Sequence, residues 1–313
     1  MTRAFIFPGQ GSQAVGMGQE LAKAFPAARE VFEEIDDALG QALFRLMADG
    51  PEDELTLTEN AQPALMAVSL AVIRVLAVEG GVEVAKNCAF VAGHSLGEYS
   101  ALAAAGTFSL PDTARLLRTR GLAMQKAVPV GEGAMAALLG LDLEAAEAVA
   151  VEAAQGEICA AANDNAPGQV VVSGAKAAVE RAIEIAKVHG AKRGVLLPVS
   201  APFHCDLMVP AAEVMAGALQ EVSMHNPAVP LISNVKAGPV SDAEEIRRLL
   251  VKQVTGMVRW RESVLAMKEN GVDTLIEIGA GKVLTGLTRR IDRDLTGIAV
   301  GTPGEIEEFL KSV

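Results

Sequence analysis

Short unbroken apolar runs and longer stretches of helical spacing follow one another along this chain. Ala4-Phe5-Ile6-Phe7 has strand length, and Pro8-Gly9-Gln10-Gly11-Ser12-Gln13 after it reads as a loop leading to a helix near Gly16. Residues 19–49 carry apolar positions (Leu21, Phe25, Val31, Phe32, Ile35, Leu39) at helical spacing, and Gly50-Pro51 breaks the chain. Thr58 to Pro63 opens another helix. Its run Ala64–Val78 is apolar nearly all round, which predicts burial on every side. A strand-like stretch from Cys88 to Ala92 runs through Gly93-His94-Ser95-Leu96-Gly97 into an Ala-rich helical run ending at Gly106. Pro111-Asp112 then starts a helix over Thr113–Val128 with Arg115, Arg118 and Arg120 along it.

Near residue 130 the pattern changes. Ala134–Leu139, Ile158–Ala162, Gln169–Ser173 and Val195–Val199 read as strands, and Leu143–Ala154 and Ala175–His189 as helices. Asn165-Ala166-Pro167-Gly168 reads as a turn between the middle strands. The order βαββαβ is that of a ferredoxin-like unit. Beyond it come helices over Val209–Val222, Ala243–Val254 and Ser263–Asn270, with strands at Val229–Ser233 and Thr274–Ile278. The expectation is an α/β fold: a large α/β-hydrolase-like domain with a mostly parallel sheet (residues 1–128 and 199–313), and a small ferredoxin-like domain inserted at residues 129–198.

Composition agrees with a compact α/β enzyme: of 313 residues, 50% are hydrophobic and 4% aromatic. The formal net charge of −12 argues against nucleic acid as a partner, so an anionic ligand needs a local basic cluster. Cys88, Cys159 and Cys205 have no metal-ligand spacing and read as free thiols of a reducing compartment. The chain enters its first strand without a signal-like segment. No apolar stretch reaches the ~18 residues expected of a membrane span, so a soluble cytoplasmic protein is expected.

The candidate chemistry sits at Gly93-His94-Ser95-Leu96-Gly97. A G-x-S-x-G turn between strand and helix is a nucleophile elbow, which pushes a serine hydroxyl out above the sheet and aims a helix N-terminus at the same spot. The base must be a histidine. His94 adjoins Ser95 and points apart from it, His189 ends a helix, and His225 lies in a polar turn. His204, after Pro202-Phe203, is the best placed. Asp112, Asp142 and Asp164 lie between Ser95 and His204, but none has a distinctive setting. A backbone carbonyl can hold an imidazole tautomer instead. Two nucleotide motifs fail. Gly9-Gln10-Gly11-Ser12-Gln13-Ala14 lacks the acid at the end of a second strand, and Gly279-Ala280-Gly281-Lys282 has Ile276 where the first glycine of a phosphate loop belongs.

Several segments occur together and in order: Phe7–Gln13, Gly93–Tyr99, Arg120-Gly121, Gly133-Ala134-Met135, Asn165–Gln169, Phe203-His204, Val258-Arg259-Trp260 and Glu277–Leu284. The set resembles the malonyl-CoA:acyl carrier protein transacylase family of fatty-acid synthesis, and is similar to the acyltransferase domains of polyketide synthases. The resemblance covers essentially the whole chain. It implies Ser95 as nucleophile and His204 as base held by main-chain carbonyls, with backbone N–H groups of Gln10 and Leu96 as the oxyanion hole. It also implies a substrate pocket with Arg120 on the malonyl carboxylate and Gln253 beside it. Gly256-Met257 departs from the family pattern, where a proline is common before Val-Arg-Trp.

Phe203, a bulky neighbour of His204, is expected to limit room around the malonyl C2. Malonyl-CoA is the implied substrate, with no cofactor or metal. The implied partner is an acyl carrier protein bearing a phosphopantetheine thiol, and a monomer is expected. Lys192-Arg193 and Arg289-Arg290 with Arg293 are the basic clusters that an acidic carrier protein would meet. A serine esterase or thioesterase sharing the elbow, a polyketide-line acyltransferase and a non-catalytic binding module are the rival readings.

Overall fold

This computed structural model describes residues 2–313. Strand β1 (Arg3–Phe7) leads through the glycine loop to α1 (Gln19–Ala24), α2 (Pro26–Leu39), α3 (Leu43–Asp49) and α4 (Glu52–Thr56). The helical run expected over 19–49 is therefore broken, and starts later than Gly16. Phe25 is extended ahead of Pro26, and Gly40 closes α2 with φ 58°. Proline favours a first helical position and glycine a left-handed stop, so both breaks are local. Helix α5 (Thr58–Gly80) follows, then α6 (Val84–Asn87), β2 (Phe90–Gly93), α7 (Gly97–Ala104) and α8 (Leu110–Ala127). By length and composition the 23-residue α5 could cross a membrane, contrary to the sequence expectation, but most of it is buried in the fold. It packs against α2, α7 and α8.

The second unit contains β3 (Gly133–Leu139), α9 (Leu143–Ala154), β4 (Cys159–Ala166), β5 (Gln169–Ala175), α10 (Lys176–Val188) and β6 (Arg193–Leu196). Its sheet is antiparallel in the order β4-β5-β3-β6, the ferredoxin-like arrangement. Leu138, Val149, Val170, Val172, Val179 and Ala182 share a core of their own between this sheet and its two helices. Strand β4 runs four residues beyond the expected Ala162, into Asn163-Asp164-Asn165. These are poor strand formers. The segment is held by two irregularities in register, by backbone bonds of Ala162 and Asp164 to Val258, and by the Arg261–Asp164 ion pair at 2.8 Å. Strand β6 begins earlier and ends at Leu196, three residues short of the expected Val199.

The chain then returns through α11 (Val209–Gln220), β7 (Leu231–Ser233), β8 (Gly238–Val240), α12 (Ala243–Thr255) and α13 (Trp260–Glu269). It ends with β9 (Thr274–Ile278), α14 (Val283–Ile291), β10 (Thr296–Val300) and α15 (Pro303–Leu310). The large sheet has the order β10-β9-β1-β2-β7-β8, parallel except for the β7–β8 hairpin. Ligands of such sheets bind outside the carboxyl ends of the strands. Phe7 of β1 is in register with Gly93 of β2, and β7 lies on the other side of β2. Three neighbouring strands thus deliver the Gln10 loop, the Ser95 elbow and Asn234 to one place.

Candidate active site

The elbow depends on two glycines. A Cβ on Gly93 would lie 1.9 Å from the Gly97 carbonyl group, and one on Gly97 would lie 2.3 Å from the Phe7 carbonyl oxygen. Strand, turn and helix can close up only without side chains there. Between them Ser95 has φ 53°, in the left-handed region. Three bonds hold this conformation. The Ser95 N–H donates to Asn234 Oδ1 at 2.8 Å, Gln253 Nε2 donates to the Ser95 carbonyl at 2.9 Å, and Asn234 Nδ2 donates to the Gly93 carbonyl at 2.7 Å.

Ser95 Oγ lies 2.8 Å from His204 Nε2. On the far side of that ring, Nδ1 lies 2.9 Å from the Gln253 carbonyl and 3.1 Å from the Gly256 carbonyl. Carbonyls only accept, so Nδ1 carries the proton and Nε2 offers its lone pair to the serine hydroxyl. These carbonyls belong to the last turn and end of α12, where helix oxygens lack intrahelical partners and the dipole is negative. A helix terminus thus stands where a hydrolase places a carboxylate. The three acids considered from sequence are occupied elsewhere: Asp112 with Ser109, Asp142 capping α9 and Asp164 with Arg261. Burial, and then the Arg120 charge, push the His204 pKa down to about 3, so the imidazole is neutral at physiological pH. His94 engages Asn165 at 2.8 Å rather than Ser95, and His189 faces Glu152 at 3.0 Å on the surface.

Arg120, only 1% exposed, is the one buried cation at the site. Its Nη2 is 3.1 Å from Ser95 Oγ and 2.9 Å from Gln253 Oε1, its Nη1 is 2.7 Å from Gln62 Oε1, and its guanidinium lies over the Tyr99 ring. The chain of bonds runs on from Gln62 to Thr58 at 2.8 Å and from Thr58 to the Gln10 side chain at 3.0 Å. Arg115 and Arg118 of the same helix remain on its outer side, paired with Asp112 and Glu59. A fixed guanidinium with a serine oxygen at its edge is suited to a substrate that carries both a carboxylate and an electrophilic carbonyl.

Ser95, His204, Arg120 and Gln62, with Gln253 buried behind them rather than on the wall, line a cleft of about 460 Å³. Its roof is the small sheet, which contributes Met135, Asn163, Asn165 and Val171, while Phe203 borders His204. Gln10 and Leu96 face the cleft, and their backbone N–H groups bond to no acceptor among the described residues. Gly9 abuts the elbow: a Cβ there would lie 2.7 Å from the His94 carbonyl oxygen. Gly11 is needed for its backbone rather than for close approach: space around it is open and its φ is 106°. Away from the cleft, Lys192, Arg193, Arg289 and Arg290 are all exposed. Leu139 of β3 pairs with both Gln169 and Arg193, and Arg290 donates to Gln169 Oε1 at 2.6 Å, so the two clusters share one end of the small sheet. Cys205 is buried against the Pro202 carbonyl and Ser173.

Sequence reasoning missed Gln62, Glu98, Asn165 and Asn234. Glu98 had a usable signal, as a charged residue at the start of an Ala-rich helical run, whereas Gln62 lies in the polar opening Thr58–Pro63 and does not stand out. Asn234 follows the end of β7, a position that gains meaning only once β7 is known to lie beside β2.

A serine on an elbow, a buried histidine and a facing cation define an acyltransferase site. A family model described as "Acyl transferase domain" matches residues 4–298, and the chain belongs to that family. It is similar to the malonyl CoA-acyl carrier protein transacylase of Bacillus subtilis (strain 168), with 48% identity over 311 residues, 99% of this chain and 96% of that protein. The protein of that name from Escherichia coli (strain K12) is 46% identical over 308 residues, 98% of each chain. Among solved structures, an acyl-carrier-protein-S-malonyltransferase from Bartonella henselae superposes with a TM-score of 0.97 at 60% identity, covering 100% of this chain and 99% of that one. A malonyl-transacylase in complex with its type II polyketide synthase acyl-carrier protein gives a TM-score of 0.96 at 45% identity, with full coverage of both chains.

Proposed function

We propose that this acyltransferase moves a malonyl group from malonyl-CoA to the phosphopantetheine thiol of an acyl carrier protein, through a malonyl ester on Ser95, to supply fatty-acid synthesis. The observation that carries this is the meeting at one oxygen: Ser95 Oγ is 2.8 Å from His204 Nε2 and 3.1 Å from Arg120 Nη2. In the first half-reaction the Ser95 oxygen attacks the thioester carbonyl as its proton passes to His204 Nε2. The oxyanion is met by the free N–H groups of Gln10 and Leu96, each such donor being worth about 10²–10³ in rate. The C–S bond then breaks, and the sulfur of CoA leaves with the proton from Nε2. In the second half the carrier thiol gives its proton to Nε2 and attacks the ester, restoring the Ser95 hydroxyl. Every bond and proton change is balanced by Ser95, His204 and the two substrates, so the scheme requires no cofactor.

Arg120 selects the acyl group. A malonyl carboxylate pairs with it, whereas an acetyl group leaves a buried guanidinium short of a partner, at about 3–5 kcal/mol by analogy with broken buried pairs. The relatives' names and their full-length similarity support the same substrate and acceptor. Intact-mass measurement after mixing with malonyl-CoA tests the reading. The parent should gain one malonyl group and lose it to carrier protein much faster than to water, and Ser95→Ala should gain none. Rapid hydrolysis without carrier-protein transfer would favour a thioesterase instead.

A further inference from the structure

Glu98 is a buried acid that the scheme above does not use. It lies in the first turn of α7, three residues after Ser95, and is 1% exposed. Its Oε1 accepts the Asn234 backbone N–H at 3.3 Å, and its Oε2 accepts a short hydrogen bond from Gln253 Nε2. Both of these partners are donors and the Ser233 hydroxyl also lies beside the carboxylate, so two acceptor oxygens satisfy them where a side chain bearing an NH₂ would set donor against donor. Each partner leads to a different half of the site. The Asn234 side chain holds the Ser95 N–H at 2.8 Å and the Gly93 carbonyl at 2.7 Å. Gln253, whose amide nitrogen is fixed towards Glu98 and the Ser95 carbonyl, must turn its Oε1 to Arg120 Nη2, 2.9 Å away. The link from Glu98 to Arg120 therefore passes through an amide whose direction matters.

We propose that Glu98 is a positioning residue with two arms: through Gln253 it aims the acceptor that orients Arg120, and through Asn234 it clamps the strained backbone that presents Ser95. This rests on the malonyl-transfer reading and adds how selectivity and nucleophile placement are coupled. Glu98→Gln is the informative change because it keeps size and removes one acceptor. Its new NH₂ confronts the Gln253 NH₂, and if Gln253 turns to accept, it presents a donor to the guanidinium.

The experiment measures kcat/KM for transfer from malonyl-CoA and from acetyl-CoA, with Tm, in the parent, Glu98→Gln, Glu98→Asp and Asn234→Ser. For Glu98→Gln, kcat/KM with malonyl-CoA should fall about 10- to 100-fold, the scale of one unsatisfied buried donor. The malonyl-to-acetyl ratio should fall with it. Glu98→Asp, which keeps the charge, should recover part of both. Asn234→Ser, which removes the elbow arm and, on the Gln253 side, only a long 3.4 Å contact to Nε2, should slow both acyl groups alike and leave the ratio near that of the parent. An unchanged ratio in Glu98→Gln, or activity lost only in step with Tm, would overturn the proposal. If Glu98→Gln does not fold, Glu98→Asp decides by the same ratio, reduced or unchanged. A parent that fails to transfer malonyl at all would count against the reaction assigned above, separately from Glu98.

Discussion

Two of the three side chains that meet in the cleft stand on backbone that L-residues rarely adopt, Ser95 with φ 53° and His204 with φ 59°. Such positions cost about 1–3 kcal/mol each and persist only where surrounding bonds over-determine them. Here those bonds come from Asn234 and Gln253 for the serine, and from the α12 carbonyls for the histidine. Phe203, one residue before the strained His204, is nearly buried and lines the cleft. We expect this ring to border the acyl chain, in which case Phe203→Ser should open the site to C2-branched units. Competition between malonyl-CoA and methylmalonyl-CoA should show the methylmalonyl share rising at least severalfold, and unchanged selectivity would remove Phe203 from the specificity set.

At the level of elements, the C-terminus of α12 does the work a carboxylate does in a Ser-His-Asp site, and does it with partial charges. It fixes the tautomer of His204 and favours the transient imidazolium, while burial and Arg120 oppose lasting protonation. Glu98 in α7 is shifted the other way, up to about 7, chiefly by burial against the bonds from Gln253, Asn234 and Ser233 and the nearby Arg120 charge. The signs separate the two groups in a pH profile. His204 loses its lone pair only near pH 3, whereas Glu98 becomes an acid, with an O–H set against the Gln253 and Asn234 donors, as pH falls through about 7. We expect the acid limb of kcat/KM for Ser95 acylation to lie near 7 and to vanish in Glu98→Gln, leaving a lower, flatter profile. A limb that persists in that variant would belong to the histidine instead.

Across the whole molecule, the cleft lies where a parallel sheet ends and a smaller antiparallel sheet covers it. The small unit has a separate core but lends Met135 and Val171 to the main one, so its roof is packed onto the site. Against a net charge of −12, the exposed cations at one end of the small sheet and on α14 are the surface we propose an acidic carrier would meet. Reversing charge at Arg193 and Arg290 should raise the KM for carrier protein about tenfold, most strongly at low salt, and leave acylation by malonyl-CoA unchanged. Equal loss in both half-reactions would place docking elsewhere.

The sequence by itself determined most elements up to β9 and the elbow that presents Ser95, because those signals are local, while β8, α14, β10 and α15 are not read from it. Glycine spacing builds the elbow at 93–97, apolar runs define α5 and β1, and the βαββαβ order of the small unit follows from alternating runs and turns. It misjudged α2 against α1 and the length of β4, where a proline and contacts from Val258 and Arg261 decided the outcome. His204, Arg120 and Gln253 came forward as a set only through resemblance to a family. What only tertiary structure decided is the polar network. Ser95 and His204 are 109 residues apart, Arg120 and Gln253 are 133 apart, and Gln253 and Glu98 are 155 apart. No periodicity spans such separations. Buried donors and acceptors must find partners wherever packing brings them, and that requirement selects Gln62, Glu98 and Asn234 only after the strand order has placed their elements side by side.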